Sequence, residues 1–107
     1  MLDSSKGWGR MALHFEWDAG KAAKNVRKHG ASFGEAATTF GDLASVRIDD
    51  PVHSEVEDRF VIVGASARQR LLVTAFTERD DRSRIISSRR ATSNERAQYE
   101  QRLKEDE

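Results

Sequence analysis

Arginine is the residue type in this sequence with the clearest capacity for chemistry, and it is concentrated in the second half of the chain. Residues 59–90 contain eight arginines and only three acidic residues. The guanidinium group is planar, keeps its charge and donates paired hydrogen bonds that match the oxygens of a phosphate. Arg59, Arg79 and Arg89 each lie at an end of a predicted strand. We therefore expect them to converge on one phosphate-binding pocket, with ion pairs at the rim of the sheet as the structural alternative.

Other chemically capable residues are few. His29 follows Lys28 at the end of a predicted helix, where the helix dipole favours imidazolium, so it could act as a general acid or base. A capping cation before Gly30 is the structural alternative. Trp17, at a strand end, is either a core residue or a platform for base stacking. His14 points away from the apolar side of its strand, and we expect no role for it.

Composition limits the class of protein. The 107 residues, 37% hydrophobic and 34% charged, fit one domain at residues 11–104. A polar lead-in at residues 1–10 precedes it, which makes Met11 an alternative start, and an acidic tail at residues 105–107 follows it. The chain lacks cysteine, and its three histidines have no ligand spacing, so we expect a reducing cytoplasm and neither metal nor cofactor. No apolar run is long enough for a membrane span. The net charge is zero, but the segregation of opposite charges allows one basic face.

Hydrophobic periodicity predicts the first half of the fold. A strand at 13–17 precedes a helix that begins after Asp18 and ends at Gly30. The residues expected on the buried side of this helix are Ala19, Ala22, Ala23 and Val26, and those expected on its outer side are Lys21, Lys24, Asn25 and Lys28. A capping box formed by Ser32 and Glu35 begins a second helix, which ends at Gly41.

The second half predicts mainly strands, at residues 44–49, 59–66, 71–79 and 83–89. A capping box of Thr92 and Glu95 then begins a helix that runs to about residue 104. The order is β-α-α-β-β-β-β-α, an α+β domain in which a small antiparallel sheet packs against helices on one side. Tyr99 and Leu103 are almost the only large apolar residues of the last helix, so we expect it to dock lightly or to bind a partner.

Three blocks of this sequence resemble the BrnT family of bacterial toxins: FEWDAGKAAKNVRKHGASFGEA, HSEVEDRFVIVG and RLLVTAFTERDDRSRIISSRRAT. The resemblance spans about residues 14–99 and includes spaced words such as K-H-G-x-S-F and R-I-I-S-x-R-x-A. It implies a RelE-like fold and an endoribonuclease that arrests translation and growth. It also implies a BrnA-like antitoxin that forms a complex with the toxin, with two copies of each partner. In that complex, operator DNA is contacted only by the antitoxin. Ser88 and Asp81 depart from the usual alanine and glycine without removing a candidate catalytic group.

The same resemblance assigns residues to roles. The catalytic candidates are Lys28, His29, Glu57, Arg59, Arg79 and Arg89. The candidates for RNA binding are Arg84, which the resemblance also supplies, and four residues chosen for their charge or aromatic ring: Lys21, Lys24, Arg90 and Trp17. The implied reaction is metal-independent cleavage, in which the 2′-hydroxyl of RNA attacks the adjacent phosphate while arginines stabilise its charge. His29 or Glu57 would accept the proton, and Lys28 or an arginine would supply one to the leaving oxygen.

The residues leave two other hypotheses open. The same basic face could bind RNA or DNA without cleaving it. It could also hold an acidic protein partner and have no nucleic-acid ligand at all.

Overall fold

The computed structural model describes residues 14–49 and 59–105. Its elements are β1 (His14–Glu16), α1 (Ala19–His29), α2 (Phe33–Thr38), a 3₁₀ turn (Thr39–Gly41), β2 (Val46–Asp49), β3 (Arg59–Ala65), β4 (Leu71–Arg79), β5 (Arg82–Arg90) and α3 (Ser93–Glu105). The predicted α+β order is confirmed. The lead-in, Met11 and Glu57 lie outside the described residues, so the predicted domain limits stay a prediction. None of the described helices has the length and apolar character needed to span a bilayer.

Within the described part of the chain, the sheet contains five strands in the order β1-β5-β4-β3-β2. The four later strands form the predicted antiparallel meander. β1, however, pairs parallel to β5, with His14 opposite Arg82 and Glu16 opposite Arg84. The expectation of a purely antiparallel sheet is therefore wrong at this edge. The parallel register lets Phe15 reach the core, where its ring packs edge-on against Phe40 at a centroid distance of 4.9 Å.

The hydrophobic core lies between one face of the sheet and the helices α1 and α2. Phe33 of α2, Phe76 of β4 and Ile85 of β5 are almost completely buried there. Phe40 bridges the layers, because its ring packs edge-on against Phe76 at 4.9 Å as well as against Phe15. This face, which we call the helix face, supplies the apolar burial that positions the strands.

Helix α1 packs differently from its predicted orientation. Asn25, expected on the outer side, is buried at 7% exposure, whereas Val26, expected in the core, is 47% exposed. The Asn25 amide donates to the carbonyl of Ser88 at 2.7 Å and accepts from the Ser88 N–H at 3.1 Å. β1 pairs only with the beginning of β5, so the amide occupies the place of a missing strand neighbour beside Ser88. The apolar stripe was therefore predicted about one residue out of phase.

The last helix lies on the other face of the sheet. α3 packs over Val63 of β3 and Val73 of β4, which alternate with the residues of the helix face. The expectation that all helices cover one side is therefore wrong for α3. The capping box of Thr92 and Glu95 is confirmed, because Thr92 accepts from the Glu95 N–H at 3.1 Å and Glu95 accepts from the Thr92 N–H at 2.8 Å. At the start of α2 only the N-cap half forms: Ser32 accepts from the Glu35 N–H at 2.9 Å, while the Glu35 carboxylate binds Arg70 and Ser66 instead of the Ser32 N–H.

Candidate functional site

Strand pairing places two of the predicted arginines on either side of one threonine. Arg59 of β3 lies opposite Thr77 of β4, and Thr77 lies opposite Arg84 of β5. The parallel pairing of β1 adds Glu16 next to Arg84. Directly opposite residues share a face and bring their Cβ atoms to about 5 Å. These four residues therefore form a continuous row across the sheet, on the face that α1 and α2 do not cover.

A second row of polar residues lies next to the first. Arg79 of β4 is opposite Arg82 of β5, which is opposite His14 of β1. Two residues along a strand separate the rows, a distance of about 7 Å. We call these two rows the arginine face: Arg59, Thr77, Arg84 and Glu16 in one row, and Arg79, Arg82 and His14 in the other. Four guanidinium groups at this spacing create a field that attracts anions.

Glu16 provides a counter-charge on the arginine face. Its carboxylate oxygens lie 3.4 Å from the guanidinium nitrogens of Arg82 and Arg84. The Arg82 side chain is 62% exposed, and the Arg84 side chain is 36% exposed. Ion pairs of such exposure and length contribute about 0–1 kcal/mol, so both guanidinium groups can exchange Glu16 for a phosphate.

Arg89 lies on the same face but not in the same place. It is opposite Val73, four residues and about 13 Å along β4 from Thr77. Its guanidinium donates to both carboxylate oxygens of Glu95 at 2.8 Å. These hydrogen bonds raise the pKa of Arg89 and lower the pKa of Glu95 to about 2. The structure thus brings Arg59 and Arg79 close together and ties Arg89 to α3.

A groove of about 680 Å³ separates α3 from the sheet beside Arg89. Its floor is apolar and includes Val46, Val61 and Val73. No described residue of α3 is buried, so this helix is attached mainly through polar contacts. One contact is the Arg89 pair, and another is the Tyr99 hydroxyl, which donates to Asp42. Burial, followed by this hydrogen bond, raises the pKa of Tyr99 to about 12.

The remaining candidates lie elsewhere. Lys28 and His29 end helix α1, which packs on the helix face through Ala22 and Asn25. Arg90 is opposite Leu72, a helix-face residue. The structure therefore does not bring Lys28 and His29 of the K-H-G motif beside Arg59, and their catalytic role stays a prediction.

The predicted RNA-binding residues of the first helix region are accessible. Lys21 and Lys24 are exposed on α1. Trp17 is 39% exposed, and its ring packs edge-on against Phe33 at 6.0 Å. Trp17 is thus both a partial cover of the core and an exposed aromatic surface. Lys21, Lys24 and Trp17 belong to none of the described strands, so strand pairing does not place them beside the arginine face.

Sequence reasoning missed four members of the arginine face: Glu16, Thr77, Arg82 and His14. Alternation along the first strand had placed His14 and Glu16 away from the core, which is correct. The missing information was the neighbour of that strand, because parallel pairing with β5 brings both residues beside arginines. Within residues 14–49 and 59–105, no three His, Asp or Glu side chains form a group that could hold a metal ion.

A known protein family and a solved structure both match this chain, and the two matches agree. The family described as "Ribonuclease toxin, BrnT, of type II toxin-antitoxin system" matches residues 17–95. Among solved structures, the chain is similar to the crystal structure of the Brucella abortus ribonuclease toxin BrnT, with a TM-score of 0.60 and 20% identity over 77% of this chain and 100% of that chain. At this identity the structural match shows a shared fold. No curated protein matches the chain. Because the family match covers most of its length, the chain belongs to the BrnT family of ribonuclease toxins of type II toxin–antitoxin systems.

Proposed function

We propose that this chain is an endoribonuclease that cleaves RNA on the arginine face without a metal ion. One observation carries the proposal: Arg59, Arg79, Arg82 and Arg84, from three strands, lie in two adjacent rows of one sheet face. RNA contains its own nucleophile, the 2′-hydroxyl, so the protein needs only to align it with the neighbouring phosphate, transfer protons and stabilise charge. Guanidinium groups are well suited to the last task.

The two rows suggest a division of labour. Arg59 and Arg84 would hold the scissile phosphate and stabilise the charge that develops on its oxygens during attack. Arg79 and Arg82, about 7 Å away, would bind a neighbouring phosphate and fix the direction of the strand. Arg89 would contact RNA farther along the face once its pair with Glu95 opens. Lys21, Lys24, Arg90 and Trp17 would then extend the contact around the edge of the sheet.

Proton transfer needs a group that can both accept and donate near neutral pH. Glu57 remains a candidate, because it is two residues from Arg59 in the sequence. Between the two histidines that bracket α1, we favour His14, which lies on the arginine face beside Arg82, over His29. A comparison of His14→Ala with His29→Ala decides between them, since only the variant that removes the proton-transfer group should flatten the pH dependence of cleavage.

As a type II toxin, the chain has a protein antitoxin as its partner. We propose a BrnA-like antitoxin in a complex of two copies of each protein, in the bacterial cytoplasm. Acidic side chains of the antitoxin would cover the arginine face and compete with RNA for the guanidinium groups. Operator DNA would be bound through the antitoxin.

The test is cleavage of end-labelled RNA by purified protein in the presence of EDTA. Arg59→Ala and Arg84→Ala should each lower the rate by about 10²–10³, and Arg79→Ala should lower it through weaker RNA binding, while circular dichroism stays unchanged. Arg27→Ala is the matched control, because Arg27 is exposed on α1. Cleavage at the wild-type rate by all three variants would rule out the arginine face. RNA that is bound but stays full length would favour a binding module, and activity that EDTA abolishes would exclude the metal-independent route.

A further inference from the structure

Thr77, in the middle of the first row, carries a hydroxyl that finds no hydrogen-bond partner within residues 14–49 and 59–105. The residue is only 3% exposed. Its Oγ1 is shielded from solvent and has no hydrogen-bond partner among the residues that the structure describes. Folding gains nothing from burying an unpaired hydroxyl, and buried side-chain oxygens are nearly always paired in folded proteins. The hydroxyl of Thr77 therefore calls for an explanation outside the packing of the chain.

Several other buried hydroxyls among the described residues are paired. The Thr74 hydroxyl, on the same strand but on the helix face, lies 2.9 Å from the Ser88 hydroxyl. Thr39 donates to the carbonyl of Ala36 at 2.7 Å, and Ser66 donates to Glu35 at 2.7 Å. Packing does not require a threonine at position 77 either. Val73, four residues earlier on the same face of the same strand, shows that valine fits this surface of β4.

The neighbours of Thr77 indicate the missing partner. Arg59 and Arg84 lie directly opposite it on the two adjoining strands, with Cβ atoms about 5 Å away. Each has a long side chain with several rotatable bonds, and both are only partly buried. When the two guanidinium groups close on an anion, the space between them lies directly above the threonine. A neutral hydroxyl at that position donates to an anion without adding charge repulsion.

We propose that Thr77 is a phosphate-binding residue whose hydroxyl donates a hydrogen bond to the scissile phosphate of RNA held between Arg59 and Arg84. This inference rests on the proposed function and adds to it a specific uncharged ligand of the same phosphate. The guanidinium groups supply attraction and charge stabilisation, and the hydroxyl at the floor of the site fixes the depth and rotation of the phosphate. The lack of a partner for Thr77 among the described residues is then explained, because the site is complete only with RNA bound.

The test compares Thr77→Val with Thr77→Ser. Valine keeps the shape and removes the hydroxyl, so Thr77→Val should fold with an unchanged or higher thermal midpoint while its kcat/KM for RNA cleavage falls about 10–100-fold. Thr77→Ser restores the donor and should recover most of this loss. The matched control is Thr74→Val, which removes a paired hydroxyl on the opposite face and should lower the thermal midpoint without changing cleavage per folded molecule.

A binding measurement separates the hydroxyl from the arginines. A fluorescent 2′-O-methyl RNA, which cannot cleave because its attacking hydroxyl is blocked, is titrated at several KCl concentrations. Arg59→Ala should flatten the dependence of log affinity on log salt by about 0.7, the value for one phosphate contact on a single strand. Thr77→Val should weaken binding about equally at each salt concentration and leave this slope unchanged.

The outcomes distinguish the two claims. If wild-type protein cleaves RNA, the arginine variants do not, and Thr77→Val matches wild type in cleavage and binding, then Thr77 has no role and only this inference is wrong. A Thr77→Val variant that is destabilised as much as Thr74→Val would show that the hydroxyl has a structural partner, and would also overturn it. If wild-type protein neither binds nor cleaves RNA, the proposed function and this inference are both refuted.

Discussion

Glu95 is the residue whose removal should have opposite effects on stability and on RNA binding. Its carboxylate accepts two hydrogen bonds from Arg89 at 2.8 Å and a third from the Thr92 N–H at 2.8 Å. It thus joins the first turn of α3 to β5 and occupies the guanidinium of Arg89 at the same time. Glu95→Gln keeps the size and one acceptor oxygen, but it loses the negative charge and presents an amide N–H₂ toward one of the Arg89 donors.

The expected magnitude follows from the exposure of the pair. The Arg89 side chain is 42% exposed and that of Glu95 is 27% exposed, so solvent screens their interaction. A charge-assisted bidentate pair under such conditions contributes about 1–2 kcal/mol, less than the lowered pKa of Glu95 alone would suggest. Because no residue of α3 is buried, the loss should appear first as local opening of this helix.

Amide hydrogen exchange measures this opening directly. In Glu95→Gln the amides of α3 should exchange about 5–30 times faster, the ratio that corresponds to 1–2 kcal/mol, while those of β4 should change little. RNA binding should strengthen, because Arg89 becomes available, and the salt dependence should steepen by about 0.7 for one added phosphate contact.

Glu100→Gln is the matched control, since it removes the same charge from an exposed position of α3. Equal gains in RNA affinity for Glu100→Gln and Glu95→Gln would refute the reasoning, because net charge alone would then explain the effect. Unchanged exchange of the α3 amides in Glu95→Gln would show that the pair does not anchor the helix.

Two further predictions concern stability. Asn25→Ala should lower the free energy of unfolding by about 2–3 kcal/mol in urea titrations, because it removes hydrogen bonds to Ala31 and Ser88 and leaves backbone groups of Ser88 unpaired. A loss below about 0.5 kcal/mol would contradict the role of the Asn25 amide as a strand neighbour of β5. The pKa of Glu95 is about 2 in the folded protein against an ordinary value of 4.5, because Arg89 binds the carboxylate, so the pair contributes fully above pH 4.5 and is lost as the pH falls toward 2. The stability difference between wild type and Glu95→Gln should shrink across that window, and a difference independent of pH would show that ionisation of Glu95 is not its source.

Local signals in the sequence predicted the elements well. Asp18 accepts from the Lys21 N–H at 2.8 Å and begins α1, and Gly30, with φ 70°, ends it as a glycine can without strain. The N-cap hydrogen bond of Ser32, the capping box of Thr92 and Glu95 and the turn at Asp80 likewise depend on residues within a few positions of one another. Such features are readable because the interacting groups are close in the chain.

Long-range pairing explains what could not be predicted. Hydrophobic alternation shows which side of a strand is buried but not which strand lies beside it. The parallel contact of β1 with β5 joins residues 68 positions apart, and it decides that Glu16 and His14 belong to the arginine face. The burial of Asn25 has the same origin, since its partner Ser88 lies 63 residues away. A polar residue that completes a sheet edge has no periodic signature.

The arginines show the same division. Their number and spacing predicted a basic surface, and strand alternation correctly placed Arg59 on the face of Val61 and Val63. The expectation of one pocket for Arg59, Arg79 and Arg89 was made without the strand register. That register places Arg89 opposite Val73, about 13 Å along β4 from Thr77, the residue opposite Arg59. It also treated Glu95 only as a capping residue, although its carboxylate binds Arg89 as well as the Thr92 N–H. A side chain that forms hydrogen bonds with two different elements, as Glu95 does, can be recognised only once the tertiary structure is known.

The most direct test of the central claim is the rate and product chemistry of RNA cleavage by the double variant Arg59→Ala/Arg84→Ala. In EDTA, wild-type protein should produce fragments that end in 2′,3′-cyclic phosphate, the product of attack by the 2′-hydroxyl. The double variant should be folded and should cleave at least about 10³ times more slowly. Cyclic-phosphate fragments released by the double variant at the wild-type rate would contradict the account.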